Sequence, residues 1–196
     1  MTALLASLPV ELVTPKDAGI AFEVDETGSS YLENARLKAL AGVRLTRLAS
    51  LGEDAGLEID ALGGEPGLRS ARYAGPKSSG AENLDRVVTA VGERGGEGSP
   101  ARFRCVAVLA LPDGREFSGD GLLEGRVSAK REGRHGFGYD PIFILPDGRH
   151  LAELPIEEKN LLSHRARALA ALEVHGAFDA LLRLPAGGGP RSGGRR

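Results

Sequence analysis

Four stretches of this chain carry residue types that could do chemistry on a phosphorylated ligand. The first is Glu53-Asp54-Ala55-Gly56-Leu57, where an apolar run meets two carboxylates and a glycine. Acids at the end of a strand are reachable by a ligand, and magnesium favours one or two carboxylates completed by waters and phosphate oxygens. Glu26, beside Asp25 in the Asp25-Glu26-Thr27-Gly28 turn, is a second acid of this kind. Either site alone reads more readily as exposed turn acids. The second stretch is Glu157-Glu158-Lys159. A lysine serves phosphate as a point charge, and the same triplet also fits a solvated helix face. The third is Ser163-His164-Arg165. Ser163 reads as an N-cap, so His164 and Arg165 project from the positive end of a helix, which suits an anion or a carbonyl oxygen. Surface residues of an arginine-rich helix would look the same. The fourth is His135-Gly136-Phe137-Gly138-Tyr139-Asp140-Pro141. Glycines on both sides of Phe137 free the backbone to offer the ring as a stacking platform. The proline extends Asp140. A glycine-rich turn with core aromatics is the alternative.

The elements that must position these residues follow from periodicity and capping. Met1–Leu8 reads as the tail of a helix and Pro9–Thr14 as a short strand. Ser30 with Glu33 forms a capping box, opening a helix with Leu32, Ala35, Ala39, Leu40 and Val43 on one face. Leu48–Leu51 is a short strand that ends in the acidic elbow, and Leu57–Leu62 alternates like a second one. Gly63–Gly67 is a turn cluster. Ser79 with Glu82 caps a helix striped by Leu84, Val87, Val88 and Val91, and Gly92–Pro100 is a loop. Ala101–Leu111 and Arg115–Ser128 are strands joined by Pro112-Asp113-Gly114. A basic loop, Lys130–Gly136, precedes a short buried strand at Ile142–Leu145. One helix starts near Pro155, and another, capped by Ser163, runs to about Ala180. Interspersed helices and strands with a hairpin predict an α/β fold, a mixed central β-sheet flanked by helices.

Composition narrows the function. The chain has 196 residues and a formal charge of −2, and setting aside the four arginines within residues 183–196 takes the body to −6. That acidity argues against general nucleic-acid binding, which needs a basic face. No stretch approaches the ~18 apolar residues of a membrane span, and no export signal is evident, so a cytoplasmic location is expected. The single cysteine, Cys105, sits in an apolar run and reads as a core residue. Residues 183–196 are expected to be a disordered tail behind one domain, 1–182. There is no GxxxxGK[ST] loop, no dinucleotide fingerprint, no GxSxG, and no metal-ligand spacing among His135, His150, His164, His175 and Cys105.

Taken in order, these stretches resemble the inosine triphosphate pyrophosphatase family across about Met1 to Phe178. The resemblance rests on Glu26-Thr27-Gly28 with Leu32 to Ala39, Glu53 to Leu57, Leu62 to Gly67, Ser70-Ala71-Arg72-Tyr73, Gly136 to Phe143, Glu158-Lys159 and Ser163-His164-Arg165. It implies two lobes with a nucleotide cleft between them, a homodimer, and magnesium-dependent hydrolysis of ITP, dITP and XTP to monophosphate and pyrophosphate. It implies Asp54 as catalytic acceptor and metal ligand and Glu26 as the second metal ligand, although Asp25 is an alternative. Ala55, Phe137, Gly138, Tyr139, Asp140, Lys159, His164 and Arg165 take the substrate-binding positions. Where the family carries two aspartates and a serine, this chain has Glu53, Asp54 and Ala55. The family's opening strand and [Ser/Thr]-x-Asn-x-x-Lys phosphate loop have no counterpart here. Weak or absent turnover is therefore expected of the 196-residue form, and a nucleotide-binding remnant is the competing reading.

Overall fold

The first helix is placed by its small residues rather than its large ones. A computed structural model describes residues 4–6, 8–94 and 98–185. In it α1 spans Tyr31–Thr46 and buries Tyr31, Asn34, Ala35, Ala39 and Gly42. The expected stripe is displaced, because Leu32 is exposed. The reason lies in β1, Ser50–Ile59. A Cβ on Gly52 would collide with Ala35 O and come within 2.6 Å of Ala39 N, and one on Gly42 would come within 2.7 Å of Ser50 Oγ. Helix and strand therefore meet backbone to backbone, and only small side chains fit there. Ser30 caps α1 by accepting the Glu33 N–H. The Glu33 carboxylate bonds Ser29 N and Oγ, so the reciprocal half of the expected box falls one residue early.

β1 corrects the expected acidic elbow. Glu53 and Asp54 lie inside one continuous ten-residue strand, with no turn between two shorter ones. Gly52, Asp54 and Gly56 are its alternate buried positions, then Leu57 and Ile59. Asp54 thus shares the face that Gly52 presents to α1.

The remaining elements are α2 (Gly80–Glu93), β2 (Ser99–Ala110), β3 (Glu116–Val127), β4 (Phe143–Ile144), α3 (Ile156–Leu162), α4 (His164–Val174) and α5 (Ala177–Leu182). The Ser79–Glu82 capping box is complete, and α2 buries Leu84, Val87 and Val91. The four strands form an antiparallel sheet in chain order, β1-β2-β3-β4. The turn after β2 is closed by Leu111 N to Arg115 O and Gly114 N to Leu111 O. β3 and β4 pair through Arg126 with Ile144 and Val127 with Phe143. The α/β expectation holds.

Other expectations do not. Pro9–Thr14 is no strand, and the described residues before it form no α-helix. The last helix is interrupted: Gly176 adopts φ +75 and separates α4 from α5, where one helix to about Ala180 was expected. Asp140 opens a single 3-10 turn, Asp140–Ile142, instead of being extended by the following proline. Its N–H bonds back to Phe137 O at 3.3 Å, which curls the backbone there. The expected disordered tail lies, from residue 186 on, outside the described residues.

Contacts divide the chain into two compact units, residues 1–54, 106–119 and 169–196, and residues 55–105 and 120–168. In the first, α1 and the first half of β1 pack as described. In the second, Leu57, Ile59, Leu84, Val87, Phe103, Leu123, Ile142 and Phe143 form the core. There β3 passes under α4 at Gly121, where a Cβ would strike the backbone of His164 and Ala168.

Candidate active site

The first chemical group belongs to the first unit and is built by α1 against β1. Asn34 and Lys38 are one helical turn apart and share a face. Asn34, 1% exposed, donates Nδ2 to Asp54 Oδ2 at 3.0 Å, while its Oδ1 accepts the Gly28 N–H at 2.8 Å. Lys38 Nζ lies 2.7 Å from Glu26 Oε1, 2.9 Å from the Glu53 carbonyl oxygen and 3.5 Å from Asp54 Oδ1. Glu26 and Asp54, expected to act together, are brought around one ammonium. Burial pushes the Asp54 carboxyl above its ordinary value, opposed by the Asn34 hydrogen bond and the charge of Lys38 and reinforced by Glu26. A more basic carboxylate is a better proton acceptor near neutrality.

The donor set fits a hard divalent ion. Among the described residues no three His, Cys, Asp or Glu side chains gather as a cage. Two carboxylates, with water and phosphate completing the shell, are the usual environment of magnesium. The Lys38 ammonium, already seated on both carboxylates, shows that a cation is accommodated between them.

The second group belongs to the second unit. Lys159 is buried, 7% exposed, and its Nζ donates to Asp140 Oδ2. The solvated helix face is thereby excluded for Lys159. Asp140 Oδ2 also accepts the Phe137 N–H at 3.0 Å, so one carboxylate fixes both the lysine and the aromatic loop. Gly136 adopts φ +88, and a Cβ there would collide with Asp140 Oδ2 and Lys159 Nζ. Only glycine lets the pair form beneath this turn. A pocket of about 240 Å³ opens beside it, lined by His135, Gly136, Pro155, Ile156, Glu157 and Lys159.

Phe137 is 72% exposed, with the Arg165 guanidinium 5.6 Å from its ring centre. Gly138, at φ +61, lets the loop turn away after it. Tyr139 turns inward instead: it is a core residue whose hydroxyl donates to Ser70 O at 2.7 Å. Burial raises its pKa, keeping it a neutral donor. Ser163 caps α4 through Ala166 N to Ser163 Oγ, 3.1 Å. His164 is buried and stacked on Phe103, centroids 5.0 Å apart and planes 13° apart. Burial, with Arg165 and Lys159 nearby, holds its pKa down at about 3. The neutral ring accepts from Arg165 Nη1 at Nε2, 3.2 Å, which leaves the proton on Nδ1. Nδ1 is buried with no hydrogen-bond partner among the described residues. Ala55 is the half-buried strand residue after Asp54. Sequence reasoning did not single out Asn34, Lys38, Ser70 or Phe103 as functional. The four-residue spacing of Asn34 and Lys38, and the place of Asn34, Lys38 and Ser70 in stretches that carry the resemblance, were the signals available.

The Ham1 family profile matches residues 1–175. A dITP/XTP pyrophosphatase from Methylococcus capsulatus is 45% identical over 177 residues, 88% of this chain and 87% of that protein. A dITP/XTP pyrophosphatase from Geobacter sulfurreducens is 40% identical over 176 residues, 89% and 88% of the two chains. The structure of a HAM1 protein from Coxiella burnetii superposes with a TM-score of 0.79 at 34% identity, covering 93% of this chain and 91% of that one.

Proposed function

The chain belongs to the Ham1 family, and we propose that it hydrolyses non-standard purine nucleoside triphosphates, dITP, XTP and ITP, to the monophosphate and pyrophosphate. The observation that carries this reading is the arrangement at Asp54. It is a desolvated carboxylate held on one oxygen by Asn34, with Glu26 and Lys38 beside the other. Relatives matched over 87% and 88% of their own length are named dITP/XTP pyrophosphatase, which favours an enzyme over a binding remnant.

The residues divide the work. Asp54 orients a water and takes its proton as the bond between the α- and β-phosphates breaks. Asn34 keeps that carboxylate from rotating. Glu26 and Asp54 would hold the cation, Mg²⁺ in this proposal. When bound, the ion would offset the charge of the polyphosphate and of the leaving pyrophosphate. Phe137 offers a face to the purine, and Arg165, stacked on that ring and bonded to neutral His164, presents N–H donors. Stacking does not distinguish purines. A donor does, because a 6-oxo group accepts and the 6-amino group of adenine donates. Lys159, pinned by Asp140, supplies positive charge beside the pocket. Gly138 and Tyr139 shape the aromatic loop, and Ala55 lines the strand next to Asp54.

A homodimer, a cytoplasmic location and the absence of a nucleic-acid partner complete the proposal. They rest on the resemblance and, for nucleic acid, on the acidity of the body. No helix among the described residues is long and apolar enough to cross a membrane.

The test is pyrophosphate release from dITP, XTP, ITP, dATP and dGTP with Mg²⁺, for the wild type and Asp54→Asn. Turnover of dITP, XTP and ITP well above that of dATP, and abolished by Asp54→Asn, is expected. Tight nucleotide binding without product would support the remnant instead, and equal turnover of dATP would remove the assigned base selection.

A further inference from the structure

Lys38 has no step of its own in the proposed hydrolysis, yet its ammonium is fully bonded at the two acids. An ammonium has three N–H donors and no acceptor. Those of Lys38 are met by Glu26 Oε1, the Glu53 carbonyl and Asp54 Oδ1 at 2.7, 2.9 and 3.5 Å. Two carboxylates and a backbone carbonyl are hard oxygen donors, the set that magnesium or calcium also selects. The lysine side chain is still 22% exposed, so its flexible stem has a way out.

We propose that Lys38 is a resident counter-cation of the Glu26–Asp54 pair, and that a divalent ion binds by exchange with it rather than beside it. The proposal rests on the assignment of Glu26 and Asp54 as metal ligands. Two physical facts lead to it. Magnesium takes its oxygens at about 2.0–2.1 Å, so an ion sharing Glu26 Oε1 and Asp54 Oδ1 would occupy the space where the ammonium stands. Two like charges placed that close repel in a partly buried site, where screening is weak. Until the ion arrives, the ammonium offsets the repulsion of two neighbouring carboxylates and holds them in place. The exchange is a conformational toll on ion binding: apparent affinity is reduced by the fraction of molecules in which Lys38 has already left.

Two readouts that do not need turnover test this. In the wild type, the rate at which an amine-reactive reagent modifies Lys38 is followed by mass spectrometry with and without Mn²⁺, with exposed Lys77 as the internal reference. Mn²⁺ should speed modification of Lys38 severalfold and leave Lys77 unchanged. In parallel, Mn²⁺ affinity without nucleotide is measured by paramagnetic resonance for the wild type and Lys38→Met. The variant should bind about tenfold tighter if the vacated state makes up roughly a tenth of the wild type. Wild-type binding with an unchanged or slower Lys38 reaction overturns the exchange and leaves the metal assignment standing. So does a variant that binds no tighter. Absence of Mn²⁺ binding in both proteins overturns the exchange and the metal assignment together.

Discussion

Asn34 Nδ2 donates to Asp54 Oδ2 across 3.0 Å, and the same amide accepts the Gly28 N–H through Oδ1. One side chain therefore sets the rotation of the Asp54 carboxylate and ties it to the turn carrying Glu26. Removing a group that orients a ligand commonly costs 10–100-fold in activity or metal affinity. Asn34→Ala is expected to lower kcat for dITP by about that factor and to cost ~1–3 kcal/mol in stability through the Gly28 N–H left unpaired. Steady-state kinetics beside thermal unfolding would check this. A destabilised variant with wild-type kcat would refute the orienting role.

Gly136→Ala attacks the other group. The new methyl falls on Asp140 Oδ2 and Lys159 Nζ at a backbone of φ +88. Strain of this kind costs on the order of 1–3 kcal/mol. The Asp140–Lys159 pair should separate, and KM should rise at least tenfold while Asp54 is untouched. An unaltered KM for dITP would count against the pair as part of the binding machinery.

Tyr139→Phe isolates a single hydroxyl. Its loss leaves Ser70 O without the bond of 2.7 Å, at a cost of about 1 kcal/mol. Ser70 Oγ also accepts the Leu57 N–H at 2.9 Å, so this bond links the aromatic loop to β1. The expected signature is a higher KM with kcat nearly unchanged. A proportional fall in kcat would instead place the tyrosine in the chemical step.

His164 makes stability depend on pH. Its folded pKa is near 3 against an ordinary 6.5, so between those values the unfolded chain binds a proton that the folded chain excludes. Stability is whole above pH 6.5 and falls as pH drops through the window, by about 2 kcal/mol near pH 5. His164→Gln should flatten that acid limb in denaturant titrations at several pH values. An equally steep limb in the variant would mean that other groups carry it.

Local signals were legible in the sequence and distant ones were not. Ser79 and Glu82 are three residues apart, and their box was readable because both partners lie within one turn. Gly136 to Asp140 announced an unusual loop by its glycines. Tyr139 and Ser70 are separated by 69 positions, and nothing in either residue type names the other. The acidic stretch misled for a physical reason. Carboxylates inside a strand look like a strand's end, unless a helix supplies an amide and an ammonium to hold them, and here α1 does. The interruption at Gly176 was hidden because the apolar spacing of α4 and α5 continues across it.

The backbone contact between Gly52 and the peptide groups of Ala35 and Ala39 acts as a mechanical stop. Interlocked side chains yield by changing rotamer, whereas two main chains in contact have no softer state to enter. The spacing between the main chains of α1 and β1 is therefore set by covalent dimensions. A single methyl at position 52 would act as a shim, lifting the helix and widening that gap by a fixed step.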